Sequence, residues 1–129
     1  MSHFTYIKTR FQNLSYLEKA LNKLNLTYKK SQNLLTSAEP FQMDLVISQS
    51  TGYDIIFTWN GQEYELATDL SFWAQPHPVE TFMNKVAQQY ACELVVGESQ
   101  KIGFQPISDQ KNLDGSRILV LDRFNLNKI

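Results

Sequence analysis

Two runs of alternating apolar and polar residues, Tyr53 to Trp59 and Gln62 to Thr68, meet at Asn60-Gly61. No other stretch constrains the fold as tightly. Both central residues of a type I′ turn need φ > 0, and Asn-Gly adopts that geometry at least cost. A two-residue loop sets Trp59 opposite Gln62, Phe57 opposite Tyr64 and Ile55 opposite Leu66. Side chains alternate across a strand. Ile55, Phe57, Trp59, Tyr64 and Leu66 therefore share one face, while Asp54, Ile56, Thr58, Glu63, Glu65 and Ala67 share the other. The first face must be covered. The second carries carboxylates and can meet water, as in an antiparallel sheet covered on one side. A slip of one residue would drive Glu63 and Glu65 into the core, so the register is expected to be strongly specified.

At 129 residues the chain is long enough to bury a core without disulfides or metal. Its 43% apolar and 19% charged content is that of an ordinary globular protein. A net charge of −1 argues against nucleic acid as a partner, because phosphate binding needs a surplus of Lys and Arg on one surface. Cys92 is the only cysteine, so no internal disulfide forms, which suits a reducing compartment. The opening Met-Ser-His-Phe-Thr-Tyr-Ile has neither the charged and apolar regions of a secretory signal nor the look of a transit peptide. No apolar run approaches the length of a membrane span.

His3 to Phe11 alternates with β-branched and aromatic residues and reads as a strand. It is apolar on both sides, which suggests an interior place in the sheet. Leu14, Leu17, Leu21 and Leu24 then fall at helical spacing with Ala20 beside them. Asn13 is the candidate N-cap, with Ser15 and Glu18 as a competing capping box, and Asn25 a left-handed stop. Thr27 to Gln32 reads as a short polar strand, Asn33 to Pro40 as a loop, and Met43 to Ser48 as a strand leading through Gly52 into the hairpin.

Val79, Phe82, Met83, Val86, Tyr90, Ala91 and Leu94 mark a second helix beginning behind Pro78 and running to about Ile102, with Gly103 as its cap. Phe104 to Ser108 and Arg117 to Arg123 form a last strand pair around a turn at Asn112 to Gly115. The second of these is apolar on both sides and is expected to be central. The order is β-α-β-β-β-β-α-β-β. The expected fold is α+β: a single-domain two-layer sandwich of a mainly antiparallel sheet and two amphipathic helices, over residues 1–124, with a tail at 125–129.

Candidate chemistry is sparse. Cys92 lies in the second helix and reads as a small hydrophobe. With one cysteine and two histidines, no metal or cofactor is expected. None of the five glycines forms a phosphate-cradling motif, and no catalytic set emerges. His77, between Pro76 and Pro78, is a candidate acid–base group or metal ligand, or a plain turn or cap residue. Phe72 and Trp73 precede the helix, either plugging the edge of the core or lining a pocket or partner surface. Glu63 and Glu65 on the outer hairpin face serve solvation and edge protection, or a protein contact. An RNA-binding sheet face is opposed by those same two carboxylates.

The opening M-S-H-F-T-Y-I-K-T-R-F, the L-x-x-A-L-x-x-L helix from Leu17 to Leu24, Q-Q-Y-A at Gln88 to Ala91, and a closing G-F with a terminal D-R-F go together. In that combination the chain resembles the family called hypothetical chloroplast reading frame thirty-five, encoded in algal plastids and cyanobacteria. Gly97 departs from the longer polar second helix of that family. The resemblance implies a small stromal protein with no established activity and no functional residues to carry over. The leading expectation is a non-enzymatic interaction or assembly module that meets another stromal protein. The alternative is a small-molecule-binding or catalytic domain using the Phe72 to His77 loop, with His77 as acid–base and Trp73 as a wall.

Overall fold

The computed structural model describes residues 3–32, 43–113 and 115–123. The expected loop at Asn33 to Pro40 and the tail at 125–129 lie outside them. The elements are β1 (Phe4–Phe11), α1 (Leu14–Lys23), β2 (Lys29–Gln32), β3 (Met43–Ile47), β4 (Ile55–Trp59) and β5 (Tyr64–Asp69). A 3-10 turn (Leu70–Phe72), α2 (Val79–Lys101), β6 (Phe104–Lys111) and β7 (Arg117–Arg123) complete the order. The architecture is α+β, in the order read from the sequence. The chain divides into two compact units, residues 1–90 and 91–129.

In the first unit five antiparallel strands lie in the order β1-β5-β4-β3-β2. Strands β3, β4 and β5 form the expected meander. β1 and β2 occupy opposite edges, four strand spacings apart, or roughly 19 Å. α1, ten residues and about 15 Å long, lies in the connection between them. Asn13 caps the helix by accepting from the Tyr16 N–H at 3.0 Å. Asn25, at φ 59°, ends it in the left-handed region. Tyr16, Leu17, Ala20 and Leu21 of α1 and Phe82, Val86 and Tyr90 of α2 are buried against Leu45, Ile47, Ile55, Phe57, Tyr64 and Leu66. Both helices therefore cover the same sheet face, the one the hairpin reading assigned to the core.

The hairpin itself differs from expectation. Trp59 faces Tyr64, Phe57 faces Leu66 and Thr58 faces Glu65. The register is displaced by two residues and the loop comprises residues 60–63. Gly61 is at φ 103°, whereas Asn60 is not in the left-handed region, so the turn is not type I′. Asn60 acts through its side chain instead: Oδ1 accepts from the N–H groups of Gln62 and Glu63, both at 2.9 Å. This Asx geometry competes successfully with the two-residue turn. Because the displacement is even, the side chains of β4 and β5 keep their expected faces, whereas Glu63 moves from the outer face into the loop.

Two placements are corrected. β1 is an edge strand, not an interior one. Its second apolar side, Phe4 and Tyr6, is 48% and 61% exposed. Aromatic residues favour extended backbone whether or not they are covered. The edge is blunted by Lys8, by an irregularity in pairing between Lys8 and Phe11, and by Arg10 at φ 65°. Within it, the Thr9 hydroxyl donates to the Tyr64 carbonyl and accepts from the Phe11 N–H.

In the second unit β7 is not central. Among the described residues it pairs only with β6, in a two-stranded sheet. A tight turn makes β6 its nearest partner, with Asn112 N–H donating to the Ser116 carbonyl at 2.8 Å. A fork of Arg117 Nε and Nη2 onto the Asp109 carboxylate, at 2.9 and 3.1 Å, ties the strands further. α2 continues through Gly97 to Lys101, and Gly103 at φ 91° follows it as expected.

Candidate functional site

The 3-10 turn begins from Asp69, a buried carboxylate whose two oxygens accept from the N–H groups of Ser71 and His3. This N-cap turns the chain sharply off β5 and separates the two adjacent aromatics. Phe72 points outward and Trp73 inward.

Phe72 stacks on Tyr53, with ring centroids 3.8 Å apart and planes 9° from parallel. Both rings remain more than a third exposed, at 37% and 38%. Gln49 holds the backbone beneath them. Its Nε2 donates to the Tyr53 carbonyl at 2.7 Å and, more weakly, to that of Phe72 at 3.4 Å. Its Oε1 accepts from the Ala74 N–H at 2.8 Å and from Gln75 Nε2 at 3.2 Å. The Thr51 hydroxyl adds a further bond to the Phe72 carbonyl at 3.2 Å. One glutamine thus clasps the β3–β4 turn to the 70–75 loop. The exposed stack is fixed in place before anything touches it.

Trp73 belongs to the core edge. Its ring meets Phe82 edge-on at 5.2 Å, and its indole N–H donates to the His77 carbonyl at 2.7 Å. That bond closes the Pro76-His77-Pro78 segment over the start of α2. The His77 side chain is exposed, with Nε2 3.1 Å from Lys85 Nζ. Both stand at the rim of a groove of about 210 Å³ whose other walls include Leu24, Leu26, Phe82 and Val86. Trp73 is not among the groove-lining residues, so the structure does not join it to His77 as pocket wall and acid–base group.

Glu63 and Glu65 stand at the hairpin, away from this corner in sequence and in pairing. Glu63 is in the loop rather than on a strand, and Glu65 accepts from Asn60 Nδ2 at 2.7 Å. Glu65 also lies beside Lys8 and Thr58 in the ladder. Cys92 is half-buried in α2. Among the described residues no group of three His, Cys, Asp or Glu side chains is placed to hold a metal ion. No helix there is long and apolar enough to cross a membrane.

Gln49, Tyr53, Lys85 and the Leu24–Leu26 wall were not read from the sequence as site residues. For Tyr53 a partial signal existed: it is a large aromatic directly after Gly52, although the alternation draws it into the hairpin strand. Nothing in the sequence marks Gln49, whose role depends on two loops meeting.

The profile of a family described as a protein of unknown function, DUF1257, matches residues 20–120. The chain belongs to this family. A relative named "Uncharacterized protein ycf35" from Trieres chinensis is 57% identical over 119 residues, covering 90% of this chain and 93% of its own length. Proteins of the same name from Guillardia theta and Pyropia yezoensis are each 37% identical, over 126 and 127 residues, with at least 96% of both chains covered. No solved structure matches the chain. The DUF1257 match takes in Gln49, Tyr53 and Phe72, as well as the whole groove.

Proposed function

We propose that this protein is a non-enzymatic interaction module of the plastid stroma that docks a partner protein on the Tyr53–Phe72 corner. Kinship with the ycf35 proteins supports the plastid setting. One observation carries the docking reading: a parallel aromatic stack, both rings more than a third exposed, whose Tyr53 and Phe72 carbonyls accept three hydrogen bonds from Gln49 and Thr51 while Gln49 also accepts from the Ala74 N–H and Gln75 Nε2. Aromatic anchors dominate protein interfaces when they bury large area, and ones that are already ordered lose little entropy on binding. A ring pair with no such purpose would gain more by folding inward, as Trp73 does.

The test is comparative capture from plastid extract, using the intact chain and its Phe72→Ala and Gln49→Ala variants. Phe72→Ala should weaken recovery of the partner by about tenfold or more. Gln49→Ala should weaken it less, because the rings remain but lose their support. Equal recovery by all three chains, or recovery of nothing beyond the bait itself, would contradict the reading.

A further inference from the structure

The groove beside this corner goes beyond the docking reading and stands on other residues. Its floor is Phe82 and Val86, both buried, and its flank is Leu24 and Leu26, both half-buried. At the rim, Lys85 Nζ lies 3.1 Å from His77 Nε2. An ammonium has only hydrogens to give, so Nε2 is the acceptor and the imidazole presents a lone pair there. That leaves two of the ammonium's three donors unused by His77. Among the described residues Lys85 forms no ion pair, a state it shares with Lys19, Lys23 and Lys29; what sets it apart is its place at the groove rim. An uncompensated cation on a free surface is simply hydrated. Here it sits where an apolar hollow ends, so a single molecule can satisfy both.

We infer that this groove binds a small amphiphile with one anionic head, a carboxylate or phosphate monoester, and a short apolar body. The head takes the free donors of Lys85. The body lies on Phe82 and Val86 against Leu24 and Leu26. The hollow, at about 210 Å³, is smaller than the roughly 300–1,000 Å³ of sites for drug-sized ligands, which keeps the body short. His77 acts as the neighbour that aims the ammonium, held in turn by the Trp73 bond to its carbonyl.

The experiment titrates the full, isotope-labelled chain with hexanoate, hexyl phosphate and the neutral hexan-1-ol, following side-chain methyl resonances. At least one anion should shift Leu24, Leu26 and Val86 saturably and bind about tenfold tighter than the alcohol, the worth of one charge-assisted hydrogen bond. Which anion does so identifies the head. Lys85→Met should remove that advantage and leave hexan-1-ol unchanged, and Lys85→Arg should preserve most of it. Lys85 is exposed, so an unchanged spectrum elsewhere verifies folding. Phe72→Ala should bind the anion normally, which separates failure here from failure of the docking reading. Equal binding of alcohol and anions, an indifferent Lys85→Met variant, shifts confined to other regions or no saturable shift at all would each overturn the inference.

Discussion

The two compact units use similar residues to opposite effect. All fourteen residues of the buried apolar cluster lie within residues 1–90. Among the residues of 91–129 whose burial is described not one is fully buried, although Leu94, Val95, Ile102, Ile118 and Val120 are all large and apolar. β4 and β7 have equally convincing strand patterns. The difference is that β4 has a covered face, with α1 and α2 packed on it. Among the described residues β7 has a single neighbouring strand, and Ile118 and Val120 on one of its sides stay exposed. Apolar alternation makes a strand, whereas a core needs a second apolar face arriving from elsewhere in the chain.

The sharpest way to break this contrast is a pair of truncations. Leu66→Ala, in the centre of the five-stranded sheet, should cost about 3–4 kcal/mol, a transfer term plus a cavity term. Val120→Ala should change stability by no more than about 0.5 kcal/mol. Chemical denaturation of both variants decides it, and comparable losses would put a hidden core around β7.

Tyr90 closes the first unit. Its hydroxyl accepts from the backbone N–H groups of Gln12 and Asn13, each at 3.1 Å, while its ring stacks on Phe11 with centroids 4.4 Å apart. Tyr90→Phe keeps the stacking and strands both donors, so it should cost about 1–3 kcal/mol in the same assay. No loss would mean that water serves those N–H groups equally well.

Burial, reinforced by the charge of Asp44, pushes the Tyr64 hydroxyl from the ordinary 10.0 up to about 12. The fold therefore favours the neutral phenol. That contribution is fully present below the unfolded value near pH 10 and is lost as pH rises from there toward 12. Tyr64→Phe should flatten that part of the stability profile. A wild-type profile that falls no faster than the variant's across it would contradict the burial account.

A small gain is expected at the edge. Arg10 holds φ 65° without being glycine. Arg10→Gly relieves that backbone while loosening the unfolded chain, a net gain of about 0.5–1 kcal/mol. A destabilised variant would show that the arginine side chain contributes more than its backbone strain costs.

Much of this was legible beforehand because it depends on local period. Leu17 and Leu21 announced α1, Phe82 and Val86 announced α2, and the hairpin alternation placed Phe57 and Leu66 in the core. What failed was information about neighbours. Phe4 and Tyr6 made β1 look interior, yet period two reports only which sides are apolar, not how many strands flank them. The Asn60 turn failed differently, since side-chain capping and a type I′ backbone begin from the same two letters. At the corner, Phe72 was visible as an aromatic in a loop. Its stack on Tyr53 and the clasp of Gln49 were not, because they join segments about twenty residues apart.

Residue-resolved native-state hydrogen exchange on the whole chain tests the central claim most directly, and with it whether residues 1–124 open as one cooperative domain. Amides of α1, β4 and β5 should exchange only through global unfolding, while those of β6 and β7 should open at markedly lower free energy. Equal protection of β4–β5 and β6–β7 would contradict the account, since it would require the second unit to be buried as deeply as the first.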